Sequence, residues 1–198
     1  MEVSVGNSLT ERISDGDMSA FRELVERYQK RIYYLAKNLT GNHQDAEDLA
    51  QDVFLKVYRS ISKFRQEARL ETWLHKVTVN AFIDKKRKKI LKLMDTNSPS
   101  EPQNPSQEPI EKSISGNPER YTDARLMQQH IQQALKQLSP KERSVFVLKH
   151  YQQQSIREIS GMLNIAEGTV KSLLFRAIRK LQKSLSFYKP DLGLENNK

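Results

Sequence analysis

Three groups of side chains in this sequence have the types and spacing to do chemistry. Asp45, Glu47, Asp48 and Asp52 crowd one stretch, with Gln51, Phe54 and Leu55 among and just after them. Phe64, Arg65, Arg69, His75, Lys76 and Asn80 lead into an unbroken basic run from Lys85 to Lys89, which includes Arg87 and Lys88. Near the C-terminus, Lys171, Ser172, Phe175, Arg176 and Arg179 recur at helical spacing. The carboxylates could in principle hold a metal and activate water. A hydrolytic centre of that kind needs a converging set of His, Cys and Asp ligands. The four histidines, His43, His75, His130 and His150, are scattered, and there is no cysteine, so disulfides and thiol chemistry are excluded. No metal site, cofactor or small-molecule substrate is expected, and the chain does not read as an enzyme. Cations interleaved with aromatics instead suit a polyanion whose bases can be stacked upon.

Charge agrees with that reading and divides the chain. The formal net charge is +9, which implies nucleic acid or an anionic membrane surface as a partner. No apolar stretch approaches the roughly 20 residues that cross a bilayer. The first residues lack the charged and apolar blocks of a signal peptide, so a cytoplasmic location is expected. Residues 95–122 are acidic on balance and hold five of the seven prolines, Pro99, Pro102, Pro105, Pro109 and Pro118. They have almost nothing to bury and read as a flexible tether. The expected organisation is an N-terminal domain over 1–94, this linker over 95–122, a C-terminal domain over 123–186 and a tail over 187–198.

Both domains read as helical, and no segment alternates as a strand would. Asp17 is placed to cap a helix with the stripe Phe21, Leu24, Val25, Tyr28, Ile32, Leu35, Ala36 and Leu39, which Gly41 ends. A second stripe runs Ala46, Leu49, Ala50, Val53, Phe54, Val57, Tyr58 and Ile61. A third runs Leu70, Trp73, Leu74, Val77 and Ala81, which makes Trp73 mainly a core residue and sets His75 and Lys76 off the buried face. Ser139 with Glu142, and Ser155 with Glu158, form two capping boxes, and Pro140 suits a first helical position. Residues 155–181 then read as a helix-turn-helix. Ile156, Ile159, Met162 and Leu163 are its first buried face, and Asn164 is its left-handed turn residue. Ile165 points inward, and Val170, Leu174, Ala177, Ile178 and Leu181 are its second buried face. The start of such a second helix enters the major groove, where cations reach guanine or phosphate.

The segment from Ser155 to Leu181, with Glu167-Gly168-Thr169-Val170-Lys171-Ser172 at its centre, resembles the DNA-binding helix-turn-helix of extracytoplasmic-function sigma factors. The resemblance implies a two-domain all-α promoter-recognition subunit for RNA polymerase. It assigns the −35 element to Thr169, Lys171, Ser172, Phe175, Arg176 and Arg179. Gly161 inside the first helix and Leu173, where a basic residue is common, depart from the family pattern. Residues 45–54 resemble the family's docking signature. By that resemblance Asp48, Gln51, Asp52, Phe54 and Leu55, beside Asp45 and Glu47, meet the clamp helices of the polymerase's largest subunit. Residues 64–89 resemble the element that opens and reads the −10 region. Phe64, Arg65 and Arg69 would then flank a base pocket, Asn80 would meet base edges, His75 would contact DNA, and Lys76, Lys85, Arg87 and Lys88 would hold phosphates. The resemblance further implies an anti-sigma partner, often membrane-bound. A helix-turn-helix activator or repressor is the alternative reading, but the N-terminal block shows neither a heptad seam nor a sensing pocket.

Overall fold

The computed structural model describes residues 9–64, 69–95 and 118–188, and every regular element among them is helical. Residues 9–14 form a short helix, α1. It leads into α2, Met18–Thr40, at Asp17, whose Oδ1 accepts from the amides of Ser19 at 2.8 Å and Ala20 at 3.2 Å. The Ser19 hydroxyl and the Arg12 guanidinium also bond this carboxylate, holding it well below the usual carboxyl range. Gly41 ends α2 at φ 85°, a left-handed conformation that costs glycine little. Asn42 caps α3, His43–Ser60. After a 3-10 turn, Ile61–Lys63, comes α4, Leu70–Asp95. Ala20, Leu24, Ile32, Leu35, Ala36 and Leu39 of α2 are buried with Ala46, Leu49, Val53 and Val57 of α3. All but Ala20 belong to the two expected stripes.

Helix α4 departs from its expected stripe. Leu70, Leu74 and Ala81 are buried as anticipated, but so are His75, Thr78, Val79 and Phe82, while Trp73 and Val77 are only partly covered. The helix is buried over a wider arc because it meets α2 and α3 on one side and the C-terminal helices on another. A stripe one face wide describes a helix with one neighbouring layer, and α4 has two.

The C-terminal helices are α5, Pro118–Lys136; α6, Pro140–His150; α7, Ile156–Leu163; and α8, Glu167–Ser184. Residues 96–117 of the expected tether lie outside the described residues. Its last residues, however, are helical: α5 opens at Pro118. At the other end a 3-10 turn, Ser186–Tyr188, reaches into the expected tail. Tyr188 is held to α5 by its hydroxyl, 2.7 Å from Nδ1 of His130. Both capping boxes form, and Asn164 takes the left-handed turn at φ 52°.

Helix α6 ties the two halves together. Its residues Glu142, Arg143, Ser144, Val145, Val147 and Leu148 are all buried, because α6 lies between α8 on one flank and α2 and α4 on another. Arg143 crosses the seam. Its Nε and Nη2 donate to the Asn38 carbonyl in the last turn of α2, at 3.1 and 3.0 Å. A Cβ added at Gly41 would stand 2.9 Å from that same Nη2. The left-handed backbone angle favours glycine there, and a side chain would also have to displace the guanidinium beside it. One continuous apolar cluster runs from Leu24 and Leu49 through Val79 and Phe82 to Val145, Ile159, Met162 and Val170.

Candidate nucleic-acid interface

Helices α7 and α8 form the expected helix-turn-helix. The turn between them is closed by Ser160, whose hydroxyl donates to the Ile165 carbonyl at 2.6 Å. Helix α8 buries Val170, Leu173, Ala177 and Leu181, at spacings of three or four residues. Leu173 is 5% exposed and Leu174 only partly covered. The sequence departure at Leu173 is thus a core residue, and it leaves the outer face unaltered.

That outer face holds the expected residues together. Thr169, Lys171, Ser172, Phe175, Arg176 and Arg179 are all exposed, Phe175 at 62%. Lys171, Ser172, Phe175 and Arg176 line a shallow depression. The Ser172 hydroxyl donates to the Gly168 carbonyl at 2.9 Å, so its oxygen remains able to accept. The Arg179 guanidinium lies 5.7 Å from the centre of the Phe175 ring, where it meets the ring's negative face. Behind this face stands Glu142 of α6, which the sequence shows only as half of a capping box. It lies 3.7 Å from Nε of Arg176 and 2.7 Å from Nζ of Lys180. A carboxylate 38 residues upstream gives no periodic signal of facing α8.

In the N-terminal half, Asp48, Gln51, Asp52 and Leu55 lie exposed along one side of α3, Leu55 at 57%. Glu47 is also exposed and pairs with His43 at 3.2 Å. Asp45 is partly covered and accepts from the Asn42 side chain at 2.9 Å, so it serves the helix start. Phe54 is partly covered and packs on the core cluster. Lys85 reaches across from α4 to Asp52 at 3.5 Å and Asp48 at 3.9 Å. A residue expected on phosphate therefore faces two residues expected on protein.

Around the start of α4, Phe64 packs on Trp73 with ring centres 5.3 Å apart. Arg69, Lys76, Asn80, Arg87 and Lys88 are exposed. Arg65 lies outside the described residues. His75 corrects the sequence expectation: it is 3% exposed, within the wide buried arc of α4, and cannot meet DNA there. Burial lowers its pKa, with Glu71 opposing and Arg31 adding to the shift. Among the described residues no group of His, Cys, Asp and Glu is arranged to hold a metal ion. No described helix is long and apolar enough to cross a membrane.

Comparison with known proteins places these surfaces in context. Residues 24–90 match the family described as Sigma-70 region 2, and residues 128–181 match Sigma-70, region 4. The ECF RNA polymerase sigma factor SigW of Bacillus subtilis is 33% identical over 177 residues, covering 88% of this chain and 93% of that protein. The ECF RNA polymerase sigma factor SigE of Mycolicibacterium smegmatis is 35% identical over 170 residues, covering 85% of this chain and 63% of the longer relative. Among solved structures, the sigma factor RpoE of Bartonella quintana, crystallised with the anti-sigma factor NepR, aligns over 84% of this chain and 96% of that one. Its TM-score is 0.64 at 24% identity, a likeness of fold.

Proposed function

The chain belongs to the extracytoplasmic-function family of RNA polymerase sigma factors, which direct the polymerase to promoters, and from that premise we propose a division of labour among its surfaces. Helix α8 reads the −35 element through Thr169, Lys171, Ser172, Phe175, Arg176 and Arg179. The observation that carries this reading is the exposed Phe175, 62% accessible among the cations of a helix-turn-helix second helix. A large aromatic in that position gains by packing on a base or thymine methyl while Arg176 addresses guanine and Lys171 a phosphate.

Asp48, Gln51, Asp52 and Leu55 on α3 form the polymerase-docking face, with Glu47 at its edge. Its charge is opposite to that of the DNA faces, so protein and DNA are drawn to different sides of one chain. The start of α4 captures the −10 region. Phe64 and Trp73 offer a tilted aromatic pair beside an exposed Arg69, Asn80 offers an amide to a base edge, and Lys76, Arg87 and Lys88 hold the backbone. A base leaving its stack needs such partners, because opening without ATP hydrolysis draws only on binding energy. Lys85 contacts phosphate only by giving up Asp48 and Asp52. In this reading the chain acts as a regulator of initiation rather than as a catalyst. A solved relative of like fold binds an anti-sigma factor, and the same class of partner is proposed here, acting on a chain that works in the cytoplasm.

The experiment is transcription from fragmented genomic DNA by sigma-free core polymerase, with and without the purified chain. Discrete new transcripts are expected, lost with Asp48→Lys through core binding and with Arg176→Ala through promoter choice. Absence of core binding, with the polymerase known to be active, overturns this reading in favour of a factor that acts without replacing the sigma subunit.

A further inference from the structure

Glu142 is 4% exposed, and a buried carboxylate must be met by donors. Its Oε2 accepts from the Ser139 amide at 2.9 Å and from the Lys180 ammonium at 2.7 Å. Its Oε1 lies 3.7 Å from Nε of Arg176. Arg176 and Lys180 are one helical turn apart, so one carboxylate on α6 serves two stacked cations of α8. The approach to Arg176 is through Nε, and 59% of that side chain remains exposed. The terminal nitrogens, which form the fork that matches guanine, are thus not the ones facing Glu142. The Lys180 ammonium, by contrast, is engaged at hydrogen-bond distance.

We infer that Glu142 is a positioning residue for promoter discrimination: it orients the Arg176 fork toward the base edges and withholds Lys180 from indiscriminate phosphate contact. Discrimination is a difference of two affinities, and this carboxylate acts on both. It sharpens the specific contact by restraining a flexible guanidinium before DNA arrives. It weakens the nonspecific one by neutralising about one positive charge beside the groove. Burial alone would push the Glu142 carboxyl up, but hydrogen bonds from Lys180 and Ser139 outweigh it and keep the group ionised.

The inference rests on α8 reading the −35 element, and the test separates the two. Holoenzyme assembled with each variant is titrated with promoter DNA carrying an intact or a scrambled −35 element, over a range of salt. Glu142→Gln is expected to lower the intact-to-scrambled affinity ratio about fivefold to tenfold. It is also expected to steepen the salt dependence on scrambled DNA by about one phosphate's worth, near 0.9 in log–log slope. Ser139→Ala damages the same helix cap but leaves the carboxylate on α8, so it should move neither quantity. If it reproduces both changes, the role of Glu142 is merely structural and the inference falls. Should Glu142→Gln melt below the assay temperature, Glu142→Asp replaces it. That variant keeps the charge one methylene short of Arg176, so the ratio should fall at least about threefold with the salt slope unchanged. An unchanged ratio in the folded Glu142 variant, with Arg176→Ala still lowering it, overturns the inference and leaves the α8 reading intact. An unchanged ratio in Arg176→Ala as well overturns both.

Discussion

Arg143 should add measurably to the apolar seam between the two halves, and Arg143→Met tests that directly. Methionine fills most of the same buried volume and donates nothing. The two hydrogen bonds to the Asn38 carbonyl, at 3.1 and 3.0 Å, share one acceptor and count as about one charge-assisted bond, roughly 1.5–3 kcal/mol. Removing a buried charge returns part of this, because burial disfavours the guanidinium strongly enough to push its pKa down to about 10. The carbonyl left behind loses its partner, which costs on the order of 1 kcal/mol or more. The net expected loss is about 2 kcal/mol. Urea unfolding measures it with two probes. Trp73, the single tryptophan, reports the N-terminal helices through its fluorescence, and far-ultraviolet circular dichroism reports all helices. Coincident transitions mark cooperative unfolding. The unaltered chain should show coincidence, and Arg143→Met should shift the midpoint down and separate the two curves. A loss under about 0.5 kcal/mol with the curves still coincident would refute the reasoning, because surface substitutions alone reach that size.

Three further outcomes follow from individual residues. Leu173→Lys places an ammonium where the side chain is 5% exposed, so it should cost at least about 2 kcal/mol and lower Tm by roughly 4–8 °C. An unchanged Tm with altered promoter preference would return Leu173 to the DNA face. Gly161 has no atom within 4 Å of an added Cβ, so Gly161→Ala should raise stability by about 0.5–1 kcal/mol through helix propensity alone. A lower Tm for that variant would mean α7 needs the glycine. His75 has a folded pKa depressed below its ordinary 6.5 by burial, and its Nδ1 lacks a hydrogen-bond partner. The unfolded chain therefore binds this proton first. The stability the histidine contributes is complete above pH 6.5 and is lost as pH falls below it toward the folded value. His75→Phe should flatten that part of the stability–pH curve, and an unchanged slope would show that other groups set it.

What the sequence by itself determined acts over one or two helical turns. The caps at Asp17, Ser139 and Ser155 depend on spacings of two or three residues, and each forms. The left-handed turns at Gly41 and Asn164 follow from residue type. Helices α2 and α3 bury most of the inner residues of their stripes because those residues face the shared core between them. The outer face of α8 could be read for the same reason, since exposed residues such as Phe175 are whatever the stripe leaves over. The tertiary structure decided the rest, where one residue answers to two neighbours. Val79 and Phe82 are buried in a cluster shared with Val145, Ile159 and Met162 because α4 is also covered by α6 and α7, helices far away in sequence. Leu173 replaces Leu174 as the deeper residue because α8 packs on both α6 and α7, and a single stripe does not say which flank is covered more deeply. Arg143 reaches Asn38 across 105 residues, and Glu142 reaches Lys180 across 38. Such pairings are set by how packed surfaces fit once the local helices exist. Capping rules and hydrophobic period carry no information about them, because both describe a helix and only the fold describes its neighbours.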